Sequence, residues 1–221
     1  LDTVMLPRIS NLVANHHIEE GIQKMKSSIR FNSFICCALC FGIAGIAPNF
    51  IPWFLGSEYT PAVLLTMELA MVMIPMSIAN VVQTQYLIPF HREPVYIRAV
   101  FLGAITNIAL NLVLIPPYGA SGAVIGTFGA ELAVCVYQLY HIRQFYNFRM
   151  LVKVLRPFFL CGIFEFAVTY FLGRLPVNTL LLLVIQVFAG GMVYLTGCAI
   201  YVIGISREYR NAGDIIKNLK R

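Results

Sequence analysis

The sequence predicts an all-α integral membrane protein: six transmembrane helices preceded by an N-terminal helix stub. Three observations carry this prediction. Apolar runs of about twenty residues or more recur along the chain, long enough to cross a hydrocarbon core of about 30 Å. Charged residues make up 12% of the chain, against about one quarter in soluble domains, and the mean hydropathy is +0.77. Lysine and arginine concentrate in alternate connections between the runs.

The chain opens on LDTVMLP, an apolar stub too short to cross a bilayer. It carries no initiator Met and no signal-peptide pattern, which leads us to expect a piece of a longer chain. In NLVANHHIEEGIQKMKSSI, Ile18, Ile22, Met25 and Ile29 recur at i, i+4, i+7 and i+11. That spacing predicts a cytoplasmic helix lying in the membrane interface, with Glu20 and Lys24 as an i,i+4 pair. His16 and His17 are adjacent and point about 100° apart on a helix, so they read as solvated rather than as a joint metal site. Six spans follow, over 29–52, 63–89, 95–115, 120–141, 154–173 and 177–205. Backbone groups in lipid must pair within their own segment, so each span is a helix. Short punctuators separate them: APNFIPWFLGSEY, PFHREP, PPYGAS, RQFYNFRM and GRLP. The tail SREYRNAGDIIKNLKR reads as a short basic helix at anionic lipid or as a solvated tail. No low-complexity linker interrupts the series, so one bundle is expected.

Orientation follows from the basic residues. Arg8, Lys24, Lys26 and Arg30 precede the first span, and Arg92 and Arg98 follow the second. Arg143, Arg149, Lys153 and Arg156 follow the fourth, and Arg207, Arg210, Lys217, Lys220 and Arg221 follow the sixth. Of the 16 basic residues, Arg174 alone falls on the opposite side. A positive-inside bias of this kind places both ends of the piece in the cytoplasm. It also accounts for the net charge of +6 without nucleic acid as a partner.

The fourth span carries small residues at Gly119, Gly122, Gly126, Gly129 and Ala133, spaced three and four apart on one stripe. Small residues let helices approach closely in lipid. The stripe is either static packing or a smooth face for sliding helices. Glu131 lies halfway along the same span, and Glu68 and Glu165 lie within others. Amides cluster too: Asn80, Gln83 and Gln85, then Asn107 and Asn111, then Gln138 and Gln186. Asn80 and Gln83 share a face at i,i+3, and Asn107 and Asn111 share one at i,i+4. Pro75 frees backbone carbonyls in the second span, a device that bends a helix or lines a cavity. Interhelical hydrogen bonds and a hydrated central cavity both fit this polar set, and the cavity points to transport.

The six cysteines lie in apolar runs and read as free thiols that pack helices, with no metal and no cofactor. Catalysis lacks its parts: no His-Glu-x-x-His, no phosphate-binding Gly-rich loop ending in Lys-Ser or Lys-Thr, and no nucleophile elbow. The chain is therefore not expected to be an enzyme.

Several stretches carry a resemblance. TVMLPRISNLVA, FGIAGIAPNFIPWFLGSEYTPA and NVVQTQYLIPFHREPVYIRAVFLGAITNIALNLVLIPPYGASGAVIGTFGAEL resemble the C-terminal half of the oligosaccharide repeat-unit flippases of polysaccharide biosynthesis. That family shares a superfamily with multidrug and toxic compound extrusion proteins and with lipid II flippases. The features are Pro7-x-x-Ser10, Gly56-x-x-Tyr59 with Ala62, Asn107-x-x-x-Asn111 with Leu114-Ile115-Pro116, and Tyr118-Gly119-Ala120-x-Gly122-Ala123 followed by Thr127 and Glu131. Each is weak alone; their order and spacing over roughly 3–145 are specific.

The resemblance implies a V-shaped bundle of two six-helix lobes, often with two further helices. On that map 1–145 is part of the C-terminal lobe, and 146–221 holds two additional transmembrane helices and a basic cytoplasmic tail. The N-terminal lobe of the same chain would form the other half of the cavity. The implied function is movement of an undecaprenyl-diphosphate-linked oligosaccharide from the inner to the outer leaflet of the cell membrane, by alternating access. Arg30 and Arg98, near cytoplasmic span ends, would attract the diphosphate or serve as snorkelling anchors. Asn80, Gln83, Asn107 and Asn111 would hydrogen-bond sugars. Glu131 would couple a monovalent cation or proton, or pack against another helix. A cation-coupled multidrug exporter of the same fold and a non-transporting scaffold of polymer assembly are the competing readings.

Overall fold

The computed structural model describes the backbone of residues 2–218 and the side chains of residues 4–201. Among these residues the chain is helical throughout, with no strand: α1 (Asp2–Ala14), α2 (Ile18–Leu55), α3 (Ala62–Val82), α4 (Glu93–Tyr118), α5 (Ala120–His141), α6 (Phe148–Leu172) and α7 (Thr179–Asn218). Five helices are long and apolar enough to cross a membrane, namely α2, α3 with its continuation to Leu87, α4, α5 and the first part of α7. The remaining expected span, 154–173, falls within α6, whose 25 residues rise about 37 Å. α6 packs between α2 and α7, while α5 packs on α3 and α4. The tail is continuous with α7 as far as Asn218; Lys220 and Arg221, counted in the basic tail, lie outside the described residues.

The start of the chain departs from expectation. No separate interfacial helix forms. α1 stops where His16 takes a left-handed φ of 62°, and the His17 N–H donates back to Leu12 O at 2.8 Å. From Ile18 a single helix of 38 residues runs to Leu55, about 57 Å by helical rise and so much longer than the hydrocarbon core. Its apolar stripe is core. Ile22, Met25 and Ile29 are buried, and the last two pack with Ile78, Val82, Tyr86, Leu139 and Ile142. The expected Glu20–Lys24 pair forms at 3.1 Å.

The second span is irregular in an unexpected place. Pro75 is buried inside α3, but the helix changes its hydrogen bonding eight residues later. Gln83–Leu87 forms a π-helical turn, with Ile88 N donating to Gln83 O at 3.0 Å. Such a turn inserts a residue into the helical register and re-aims the side chains beyond it.

Two local devices set helix ends. Gly119 ends α4 and begins α5 at φ 57° and ψ −129°, a conformation that favours glycine. It is thus the corner of a helical hairpin rather than the first member of the small-residue stripe. The stripe proper is Gly122, Gly126 and Gly129, and these face Leu114, Asn111 and Leu110 of α4. Asn147 caps α6, accepting from Met150 N at 3.0 Å. At the far end Arg174 lies over the rings of Tyr170 and Phe171, 5.4 and 5.3 Å from their centroids, an arrangement suited to a membrane interface.

The outer face of α4 stays apolar and open: Phe101, Ile105, Ile108, Leu112 and Val113 are all more than half exposed. In water such a face would be an aggregation site; in a bilayer it meets lipid or other helices. Between α2 and α7 the buried Tyr194 hydroxyl donates to Phe34 O at 2.6 Å. Tyr194→Phe should lower stability by about 1 kcal/mol, read as a thermal midpoint about 2–4 °C lower in detergent. An unchanged midpoint would remove this bond from the account of how α7 is held.

Candidate functional site

Three helices enclose a cavity of about 370 Å³. α3 and its π-helical continuation supply Ala79, Asn80 and Gln83. α4 supplies Tyr96, Val100, Gly103, Ala104 and Asn107, and α5 supplies Thr127, Ala130, Glu131, Val134 and Gln138. The helical period explains the set: residues 96, 100, 103 and 107 on α4, and 127, 131, 134 and 138 on α5, each fall on a single face. Small residues at Ala79, Gly103, Ala104 and Ala130 leave the space between them.

Four of the seven expected site residues therefore meet here: Asn80, Gln83, Asn107 and Glu131. Asn111 sits one turn beyond Asn107, its Nδ2 donating to Asn107 Oδ1 at 2.9 Å. Asn107 in turn reaches the Thr127 hydroxyl at 3.5 Å, and that hydroxyl donates to Ala123 O at 3.0 Å. Asn111 thus orients Asn107, which faces the cavity.

The two arginines lie elsewhere. Arg98 is exposed and stands about 200° round α4 from both Tyr96 and Val100, so it points away from the cavity. Arg30 is exposed on α2 beside an apolar groove lined by Phe31, Phe34, Phe158 and Leu195. It also acts on Tyr146 in the α5–α6 connection. Burial pushes that phenol up to about 12, and the Arg30 charge works in the opposite direction.

Sequence reasoning left three polar cavity residues out of the site: Tyr96, Thr127 and Gln138. Thr127 and Gln138 lie four and seven positions from Glu131, so the helical period alone would have placed them beside it. Tyr96 lies eleven positions before Asn107 on α4, so the same period places it on the face of Asn107. The cavity wall is polar but short of partners. Among the described residues Asn80, Gln83 and Glu131 form no side-chain hydrogen bond to protein, and Gln138 Oε1 is buried without one. The lining contains no lysine or arginine. Glu131 is its one carboxylate.

Residues 1–196 match the family model of the lipid II flippase MurJ. The chain belongs to the MurJ family. The family lies in the exporter superfamily that the sequence resemblance indicated, although the family model names lipid II flippases rather than the repeat-unit branch. MurJ-family proteins are transporters, not enzymes, and a multi-pass membrane protein is what the helices describe. The chain is also 29% identical over 114 residues to an uncharacterised membrane protein of Methanocaldococcus jannaschii. That stretch is 52% of this chain and 21% of the relative, so the chain spans about a fifth of the relative's length. No solved structure matches the chain.

Proposed function

We propose that this chain forms one wall of a flippase that carries a lipid-linked glycan precursor from the inner to the outer leaflet by alternating access. The observation that carries the reading is the cavity of α3, α4 and α5: unpartnered amides and a carboxylate within otherwise apolar helices. Unpartnered polar groups inside a membrane bundle are costly unless water or a polar solute meets them.

The wall suits saccharide rather than diphosphate. Asn80, Gln83, Asn107 and Gln138 both donate and accept, which matches sugar hydroxyls, while the lining offers no cation for a phosphate. The diphosphate would find its counter-charge outside this wall, on Arg30 or on the other lobe. The family match favours a peptidoglycan precursor of the lipid II type over an oligosaccharide repeat unit of capsule or O-antigen type; both are lipid-diphosphate saccharides. The cavity lining comes entirely from residues 79–138, which supports 1–145 as the lobe and 146–221 as two added helices. The basic connections support a cytoplasmic position for both ends of the piece.

The test uses cells depleted of the full-length protein and complemented with wild type or with Asn80→Leu, Gln83→Leu. A membrane-impermeant glycan label on spheroplasts reports the leaflet of the precursor. Precursor trapped inside on depletion, unrelieved by an accumulating variant, supports the reading. Outward-facing precursor on depletion overturns it and turns attention to drug efflux or a scaffold.

A further inference from the structure

Away from the cavity, α2, α6 and α7 enclose a second polar cluster. Glu165 of α6 is only 5% exposed, and its Oε2 has no hydrogen-bond partner. The side chain lies in a notch cut by two glycines: a Cβ on Gly42 of α2 would come within 3.0 Å of Glu165 Oε1, and one on Gly190 of α7 within 3.5 Å of Glu165 Cγ. One turn on, the Thr169 hydroxyl donates to Glu165 O at 2.9 Å. Gln186 of α7 is fully buried and donates to Thr169 O at 2.7 Å and to Asn49 Oδ1 of α2 at 3.3 Å. Asn49 donates to Gly173 O at 3.1 Å. Side chains from three helices are thus tied together around a carboxyl that is itself untied.

The titratable groups that face Glu165 are Cys37 and Cys40 from α2 and Tyr194 and Cys198 from α7. None is a cation, and among the described residues no lysine, arginine or histidine pairs with Glu165. A charged carboxylate there would have neither counter-charge nor donor at Oε2, which is strongly unfavourable. The neutral acid has no such charge to bury.

We propose that Glu165 is a proton-binding site that latches the α6–α7 pair onto α2. The pair docks while the carboxyl holds its proton, and separates when that proton passes to water and leaves a hydrated carboxylate. The closed bundle then binds one proton more than the separated one. Rising pH therefore favours separation, by up to about tenfold per pH unit, the limit for one proton. This goes beyond the translocation reading and does not depend on it.

The test is site-resolved maleimide labelling of the full-length protein in proteoliposomes across a pH series, read by mass spectrometry. Cys198 and Cys37 are buried in the closed bundle; the same thiols labelled in the denatured protein at each pH are the standard for intrinsic thiol reactivity. In wild type the ratio of Cys198 labelling to that standard is expected to rise with pH, by up to about tenfold per pH unit. In Glu165→Gln, isosteric and uncharged, the ratio is expected to stay flat. Glu165→Leu, apolar and of similar volume, is the second variant should the first not accumulate, and it too should be flat. A flat ratio in wild type, or a rise that persists in the neutral variants, overturns the proposal.

Discussion

Gly122→Val is expected to cost this protein about 3 kcal/mol or more, a fall of roughly 10 °C in thermal midpoint. The reason lies in the corner between α4 and α5. Gly122 is in the first turn of α5, and a Cβ built there would fall on the carbonyl of Leu114. That neighbour is backbone and cannot rotate away, so the helical hairpin must splay. The consequence spreads down the stripe, because Gly126 lies against Asn111 and Gly129 against Leu110. Opening the hairpin would pull Asn107 of α4 from Thr127 of α5 and distort the cavity wall. Gly191→Ala supplies the contrast. A Cβ on Gly191 meets nothing within 4 Å, and alanine suits a helix better than glycine by about 0.5–1 kcal/mol, so this variant should be neutral or slightly more stable. Thermal unfolding of both in detergent checks the pair. Equal midpoints would mean that α4 and α5 do not approach as closely as the structure has them.

That contrast also shows where sequence reading reaches its limit. Gly119, Gly122, Gly126, Gly129 and Gly191 are all glycines in or beside apolar helices, and periodicity singled out the first four. It could not tell the corner, Gly119, from the packing stripe, because both fall on the same spacing. The same ambiguity affected the start of α2. An apolar stripe with charges on the other face looks alike whether it meets lipid or other helices, and only the partners Ile78, Tyr86 and Ile142 decide for the core. The π-helical turn at Gln83–Leu87 has no sequence signature of its own, whereas Pro75 is a visible but here uneventful irregularity. Polar residues were easier. Asn80, Gln83, Asn107 and Glu131 stood out as costly in lipid and do converge. Arg98 stood out equally, yet its position two residues from both Tyr96 and Val100 places it on the opposite face. Glu165 and Gln186 were visible as polar residues within spans, but their link through Thr169, and the part played by Asn49, depend on how α2, α6 and α7 pair.

Glu131→Gln is expected to lower translocation by about tenfold or more while leaving the amount of folded protein unchanged. A tenfold loss corresponds to about 1.4 kcal/mol, a modest demand on a group that is the one carboxylate of the cavity wall. Glu131 has no basic partner among the described residues; under the proposed coupling, a monovalent cation or a proton would supply its counter-charge. Glutamine keeps the shape and the hydrogen-bonding capacity but removes the charge that an ion would neutralise. Two readouts separate coupling from packing. If Glu131 couples an ion, the variant loses the dependence of translocation on that ion's gradient, and Glu131→Asp retains part of it. If Glu131 only packs, translocation and its ion dependence survive in the glutamine variant. The folded state supplies the control: removing an unpaired carboxylate from a half-buried position should leave the thermal midpoint unchanged or raise it. A variant that loses transport together with stability would therefore assign Glu131 to the architecture of α5 and not to the movement of an ion.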